Sequence, residues 1–406
     1  MPLSRHKFYV ICFAFMLLLG LNLGVYQSVL VDINDFFDLG GAYSGLLVAI
    51  FFLGALFVPV LAGELSDRIG KKFVLIISCI IFIAGIVIVT QATNIITCGI
   101  GVFFIGSGAC TIEALLSAVI TDENPGSSEK VMNFSQLFFC IGAVAGPMLS
   151  LAARTLGASW QIIMLIVAAI FIPALISLFF LDETRKLNAQ KDKHEKAFSK
   201  TLVKDARFLL FFFSMFLYVG AESGIAFSII GYFSDINHNI LTGEMALSLF
   251  WFGMIIGRLC AGLLHKISNT LMIVCLSGSA AFSFLLQFSH QAIFSTALFL
   301  LLGLSFSAVW PLLMAFCTQT FSRFSGTAGG LMVTGGALGG MSLPMLMGVI
   351  AEMSEIRVSF LVSTFAMIVI LALYLIGRRK QEKYTQTANI SPGEFLYEKP
   401  PTDDAC

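Results

Sequence analysis

The chain has 406 residues, 58% of them hydrophobic and only 12% charged, with a formal net charge of zero. Soluble domains carry about 25% charged residues, and no core of this size could hide so much apolar surface, so lipid is the expected solvent. Balanced charge, without any basic stretch interleaved with aromatics, excludes a nucleic-acid partner.

Met1 to Lys7 is weakly basic and runs directly into an apolar stretch with no small-residue cleavage site. It reads as a retained first membrane helix rather than a removed leader. Polar punctuation then cuts the chain into twelve apolar spans, near 8–30, 43–62, 73–91, 95–120, 132–152, 160–181, 208–233, 244–264, 271–288, 292–317, 327–350 and 358–377. Each has the ~18–25 residues that a ~30 Å hydrocarbon core demands. The stretch 182–207 mixes lysine, arginine and acids and suits a linker. Residues 378–406, with Pro392, Pro400, Pro401 and scattered charges, suit a disordered tail. The expected organisation is an N-terminal six-helix bundle (1–181), a cytoplasmic linker (182–207), a C-terminal six-helix bundle (208–377) and a cytoplasmic tail (378–406).

With the N-terminus inside, 21 of the 24 lysines and arginines fall on inner segments, whereas Arg154 and Arg357 fall in outer loops and Arg258 lies within a span. This bias puts both chain ends in the cytoplasm, in a multi-pass protein of a lipid bilayer. Compact loops suggest a bacterial inner membrane, with one copy acting as a monomer.

The two halves repeat one another. Gly20, Asn22 and Gly24 are answered by Gly220, Glu222 and Gly224, and Gly54 and Gly63 by Gly253 and Gly262. Gly106 and Glu113 pair with Gly303 and Trp310, and Gly142-x-x-x-Gly146 with Gly335-x-x-x-Gly339. Parallel duplication of this kind predicts a site at the interface of the halves near mid-membrane.

Between spans 2 and 3 the chain reads Gly63-Glu64-Leu65-Ser66-Asp67-Arg68-Ile69-Gly70-Lys71-Lys72. This decapeptide resembles the loop 2–3 signature of the major facilitator superfamily. The resemblance implies an all-α membrane protein, with twelve transmembrane helices in two pseudo-symmetric six-helix bundles that work by alternating access. It also implies that Gly63, Asp67, Arg68, Gly70 and Lys71 serve a cytoplasmic gate. Leu181-Asp182-Glu183-Thr184 resembles the signature that often closes span 6. Tyr218 to Gly224 and Gly303 to Pro311 (GLSFSAVWP) resemble spans 7 and 10 of the fucose/glucose–cation symporter branch. In that branch a span 4 glutamate is central to proton coupling, and Glu113 falls where it would lie. The chain departs from the branch at Ala114-Leu115-Leu116-Ser117, where an Asn-Pro is usual, and at Asn22, where span 1 can carry an acid.

Among individual residues Glu113 is the sharpest candidate. An ionised carboxylate at mid-bilayer costs at least ~2.5–3.5 kcal/mol, so it is expected to face a wet cavity or a neighbouring helix. It reads either as a proton carrier or as interhelical glue. Glu222, with Tyr218 one turn before it, offers the same pair of readings from the opposite half. Arg258 either snorkels to the inner interface or contacts an anionic solute. Asn22, Tyr26, Gln136, Tyr218, Trp251 and Trp310 are the polar and aromatic groups expected to line a substrate cavity. Gly142-x-x-x-Gly146-Pro147 resembles the end of an antiporter motif, and close helix packing explains it equally. Nine cysteines without metal-ligand spacing read as small hydrophobes. Motifs for hydrolysis or nucleotide binding are absent, so neither an enzyme nor a cofactor or metal is expected. The function expected is secondary active transport of a small organic solute, a sugar being one class, by symport with a proton or other cation. Proton-driven efflux of a hydrophobic or amphipathic compound is the alternative, and a non-transporting receptor on the same fold a remote one.

Overall fold

The computed structural model describes residues 5–39, 41–123, 128–179, 202, 204–237, 240–263, 268–321 and 325–388. Helices run as α1 (Arg5–Phe36), α2 (Gly41–Ile69), α3 (Lys71–Thr90), α4 (Ile95–Glu123), α5 (Ser128–Thr155) and α6 (Trp160–Phe179) in the first half. The second half holds α7 (Ala206–Asn237), α8 (Ile240–Leu263), α9 (Ser268–Leu285, with a short 3₁₀ turn after it), α10 (Ala292–Phe306), α11 (Val309–Thr320), α12 (Ser325–Met353) and α13 (Ile356–Ala388). Eleven stretches are long and apolar enough to cross a membrane, with α10 and α11 sharing one, and α2 adds a shorter apolar stretch, Gly45–Pro59. Each of the twelve expected spans is therefore helical. We call the face that carries the α2–α3 turn proximal and the face that carries the α1–α2 turn distal.

Several edges differ from expectation. α1 continues to Phe36 and α2 to Ile69, so Asp32 and the Gly63–Ile69 part of the expected loop are helical. α5 continues to Thr155, so Arg154 belongs to a helix and not to a loop. α7 begins at Ala206, inside the expected linker, and α13 continues to Ala388, where a disordered tail was expected. Most of the linker, the Leu181–Thr184 signature and the tail beyond 388 lie outside the described residues.

Packing repeats between the halves. α1 lies on α5 as α7 lies on α12, α2 on α4 as α8 on α10, α3 on α6 as α9 on α13, and α1 on α6 as α7 on α13. One hydrophobic core fills each half, around Phe15, Phe82 and Phe171 in the first and Phe250, Phe299 and Phe360 in the second. The halves meet where α2 lies against α12 and α5 against α8.

Glycine makes the close crossings possible. A Cβ on Gly142 would stand 1.9 Å from the Leu17 carbonyl oxygen of α1, and one on Gly339 would stand 1.8 Å from that of Phe216 on α7. Gly106 and Gly303 are bound in the same way by the Phe51 and Phe250 carbonyls. These matched contacts correct the repeat register. Gly142 answers Gly339, not Gly335, and Pro147 of α5 answers Pro344 of α12. The Gly-x-x-x-Gly comparison slipped by one helical turn, because glycines four apart offer two registers on the same face.

Two local features follow from backbone chemistry. Gly70 joins α2 to α3 at φ +96°, a conformation open to glycine and unfavourable for other residues. Beside it, the Lys72 Nζ donates to the Phe179 carbonyl at the end of α6 (3.0 Å), a cation at a helix C-terminus. Span 10 breaks between Phe306 and Val309, with Pro311 in the first turn of α11, where its missing N–H is tolerated. The buried Tyr218 hydroxyl donates to the Phe306 carbonyl at the break (2.9 Å).

Gly142→Val and Gly339→Val should each lower unfolding free energy by about 1–3 kcal/mol through overpacking. Gly330→Ala, which lies within α12 and meets nothing within 4 Å, should not destabilise and should gain up to about 1 kcal/mol in the same detergent unfolding series. Tyr218→Phe should cost about 1–3 kcal/mol by stranding a buried carbonyl; an unchanged midpoint would show that the break needs no donor.

Candidate functional site

One face of α8 carries the polar groups that join the halves. Glu244, Ser248, Trp251 and Arg258 follow one another at spacings of four, three and seven residues, which places them on a single stripe of the helix. From the distal end, Glu244 Oε1 accepts from Arg154 Nε of α5 (2.6 Å) and from Ser28 Oγ of α1 (2.6 Å). Ser248 Oγ donates to the Val144 carbonyl of α5 (3.0 Å). Trp251 Nε1 donates to Gln27 Oε1 of α1 (2.9 Å). Lowest on the stripe, an Arg258 terminal nitrogen donates to Cys140 Sγ of α5 (2.9 Å).

Arg258 also lies within electrostatic reach of Glu113 on α4 and of Glu222 and Tyr218 on α7. Its terminal nitrogen points to Cys140 of the other half, at the seam. Gln136 Nε2 of α5 donates to Glu113 Oε1 (3.4 Å). Tyr218 reaches both the Phe306 carbonyl and the neighbourhood of Glu222. The structure therefore gathers Glu113, Gln136, Tyr218, Glu222 and Arg258 around one junction of four helices, two from each half. The junction holds one cation and two carboxylates.

The other expected lining residues are placed differently. Tyr26 is fully buried, stacked on Phe51 of α2 (5.4 Å between centroids) and edge-on to Phe227 of α7 (5.7 Å). Trp251 is also buried at the seam, beside Phe139 and Phe250. Asn22 is buried and its Oδ1 has no hydrogen-bond partner among the described residues. Trp310, at the start of α11, packs partly exposed against the second core. At the proximal turn Gly70 has the positive φ already described; Gly63, Asp67 and Arg68 lie in helix α2, with side chains outside the described set, and Lys71 opens α3.

Four residues at the distal end escaped the sequence reading. Arg154 passed as a loop residue, Glu244 as the polar edge of a span and Asp32 as part of the connection after span 1, whereas Ser28 was submerged in the apolar run of that span. The available signal was the stripe on α8, whose polar members stand at helical spacing in an otherwise apolar segment. A cavity of about 360 Å³ opens beside this end, lined in part by Asn34, Asp35, Ser228, Ser234 and Asp235. Asp35 and Asp235 are equivalent in the repeat, each 15 residues after Gly20 and Gly220.

Comparison with known proteins gives the family. The sequence profile described as Major Facilitator Superfamily matches residues 12–341 and 211–400. The glucose transporter GlcP of Staphylococcus epidermidis is 25% identical over 186 residues, 45% of this chain and 41% of that protein. The arabinose-proton symporter of Escherichia coli K12 is 28% identical over 188 residues, 45% of this chain and 38% of that protein. The chain thus spans about two fifths of the length of these curated relatives. The crystal structure of the Escherichia coli fucose:proton symporter FucP superposes with a TM-score of 0.66 at 16% identity, covering 91% of this chain and 98% of that one. It supports the fold alone. With two packed six-helix halves and a profile match over most of its length, the chain belongs to the Major Facilitator Superfamily, a family of membrane transporters rather than enzymes.

Proposed function

We propose that the chain is a proton-coupled symporter that moves a small polar organic solute, a sugar being the leading class, by alternating access. The observation that carries this reading is the junction at Arg258, where one guanidinium lies within electrostatic reach of Glu113 from the first half and Glu222 from the second. With all three groups ionised the junction holds a net charge of −1, and a single proton makes it neutral. Charge in a low-dielectric bundle is expensive, so the neutral junction rearranges more readily than the charged one. Proton and solute then move together because both are needed for the halves to rock. Gln136 on Glu113 and the unpartnered Asn22 Oδ1 are the groups we assign to a hydroxylated solute, with Tyr26, Tyr218, Trp251 and Trp310 as aromatic walls. The arabinose-proton symporter and the glucose transporter among the relatives support the same substrate class.

The lysine and arginine bias supports a cytoplasmic proximal face with both chain ends there, and we assign the protein to a bacterial inner membrane with one copy as the working unit. Asp67, Arg68 and Lys71 would then serve the cytoplasmic gate. The efflux reading loses its main support, because Gly142 and Gly146 are accounted for by the close approach of α1, whose Leu17 and Leu21 carbonyls stand against them.

Reconstituted protein under an inward proton gradient should accumulate radiolabelled glucose, arabinose or another neutral monosaccharide. Glu113→Gln should lower that accumulation ~10-fold or more while leaving solute exchange without a gradient within about twofold. Full gradient-driven uptake by this variant would remove Glu113 from coupling. Outward movement of an amphipathic compound against the same gradient would replace symport by efflux.

A further inference from the structure

The distal end of the seam holds a second triad with the same charges as the first. Arg154 donates to both oxygens of Asp32 on α1 (2.7 and 2.5 Å) and, through Nε, to Glu244 on α8 (2.6 Å). Asp32 and Arg154 both belong to the first half, so this pair survives any movement between the halves. Glu244 alone comes from the second half. Its side chain is 0% exposed, against 14% for Arg154 and 20% for Asp32. Both donors, Ser28 and Arg154, converge on Oε1, and Oε2 is buried with no hydrogen-bond partner among the described residues.

That geometry is one-sided. An ionised carboxylate spreads its charge over both oxygens, and an oxygen sealed from water without a donor forfeits its hydration. Four of the five N–H donors of Arg154 serve Glu244 Oε1, Asp32 and the Ser28 carbonyl, and none is given to Oε2. One cation answers two carboxylates, leaving a net −1 at a site where Glu244 is shut off from solvent. Among the described residues, other elements packed on α8 do not change this balance. α10 carries no titratable residue. On the distal part of α7, Tyr232 is engaged with Ser289 and Ser295, and Asp235 is exposed at the neighbouring cavity. From α1 and α5 the groups acting on Glu244 are Ser28, Asp32 and Arg154.

We propose that closure of the distal face takes up one proton from the distal water onto Oε2 of Glu244 and that opening returns it. When α8 parts from α1 and α5, Glu244 is hydrated and keeps its charge, while Arg154 and Asp32 remain paired. When the halves meet, the proton neutralises the carboxyl, and Oε1 still accepts from Ser28 and Arg154. Acid on the distal side therefore favours the closed distal face. This device is separate from the junction at Arg258 and does not rest on Glu113.

The test is a distance measurement between nitroxide labels at Leu156→Cys and Met353→Cys, both highly exposed positions at the distal ends of opposite halves, in nanodiscs, with Cys260→Ser to limit stray labelling. Lowering the pH from about 8 to about 5.5 should raise the ratio of short to long distances by ~5-fold or more. Glu244→Gln, a neutral isostere, should give the short distance at both pH values. Glu244→Asp and Glu113→Gln should retain the pH response. An open distal face in Glu244→Gln would mean that the ionic charge itself is the latch and would overturn the proposal. So would a pH response that persists in Glu244→Gln, or one in the parent that runs toward the open state; the parent and Glu244→Asp decide the matter even if the Gln variant does not fold.

Discussion

A charge carried into an apolar bundle has to be met by opposite charge or by donors within reach, and α8 carries two such charges, Glu244 and Arg258, on one face. Each is met by partners from the other half. The seam therefore adds the polar contacts of α8 to the apolar packing of α2 against α12 and of Tyr26 against Phe227. Lipid tails are as apolar as leucine, so hydrophobic burial alone gives two such halves little reason to choose one mutual arrangement. Polar contacts that exist in one arrangement and not in another make the choice discrete.

The rest of the fold keeps these contacts in register. Glycines at the α1–α5 and α7–α12 crossings bring backbones together until a Cβ would strike a carbonyl, which fixes the rotation of each helix as well as its position. Rotation matters because the polar stripe of α8 occupies a narrow arc. A helix turned by one residue, about 100°, would carry Glu244 and Arg258 away from their partners. Close glycine packing within each half and polar pairing between the halves are thus two parts of one arrangement. The first gives rigid bodies and the second gives them a surface along which to meet.

Both triads combine one guanidinium with two carboxylates, and in both the cation is shared across the seam. At Arg258 the two acids come from different halves, so rearrangement changes the company of the cation. At Arg154 one acid is permanently paired and the other departs with α8. The same charges accordingly suit a solute-linked step in the first case and a face-closing step in the second. Position relative to the seam makes the difference, not residue type.

The sequence by itself determined the architecture. Span lengths, the charge bias, the Gly63–Lys72 signature and the glycine repeat each follow from local chemistry, since lipid permits only helices of a certain length and glycine marks where helices must touch. It also brought out Glu113, Glu222 and Arg258, because a charge in an apolar run is conspicuous wherever its partner lies. Tertiary structure alone decided which charge meets which. Arg154 and Glu244 are 90 positions apart, and nothing along the chain couples them. The repeat register was settled the same way, since glycines four apart point to the same face and only the carbonyl across the crossing distinguishes Gly335 from Gly339. Pairing across a seam depends on the rotation of two helices about their own axes, and that rotation is fixed by all their neighbours at once.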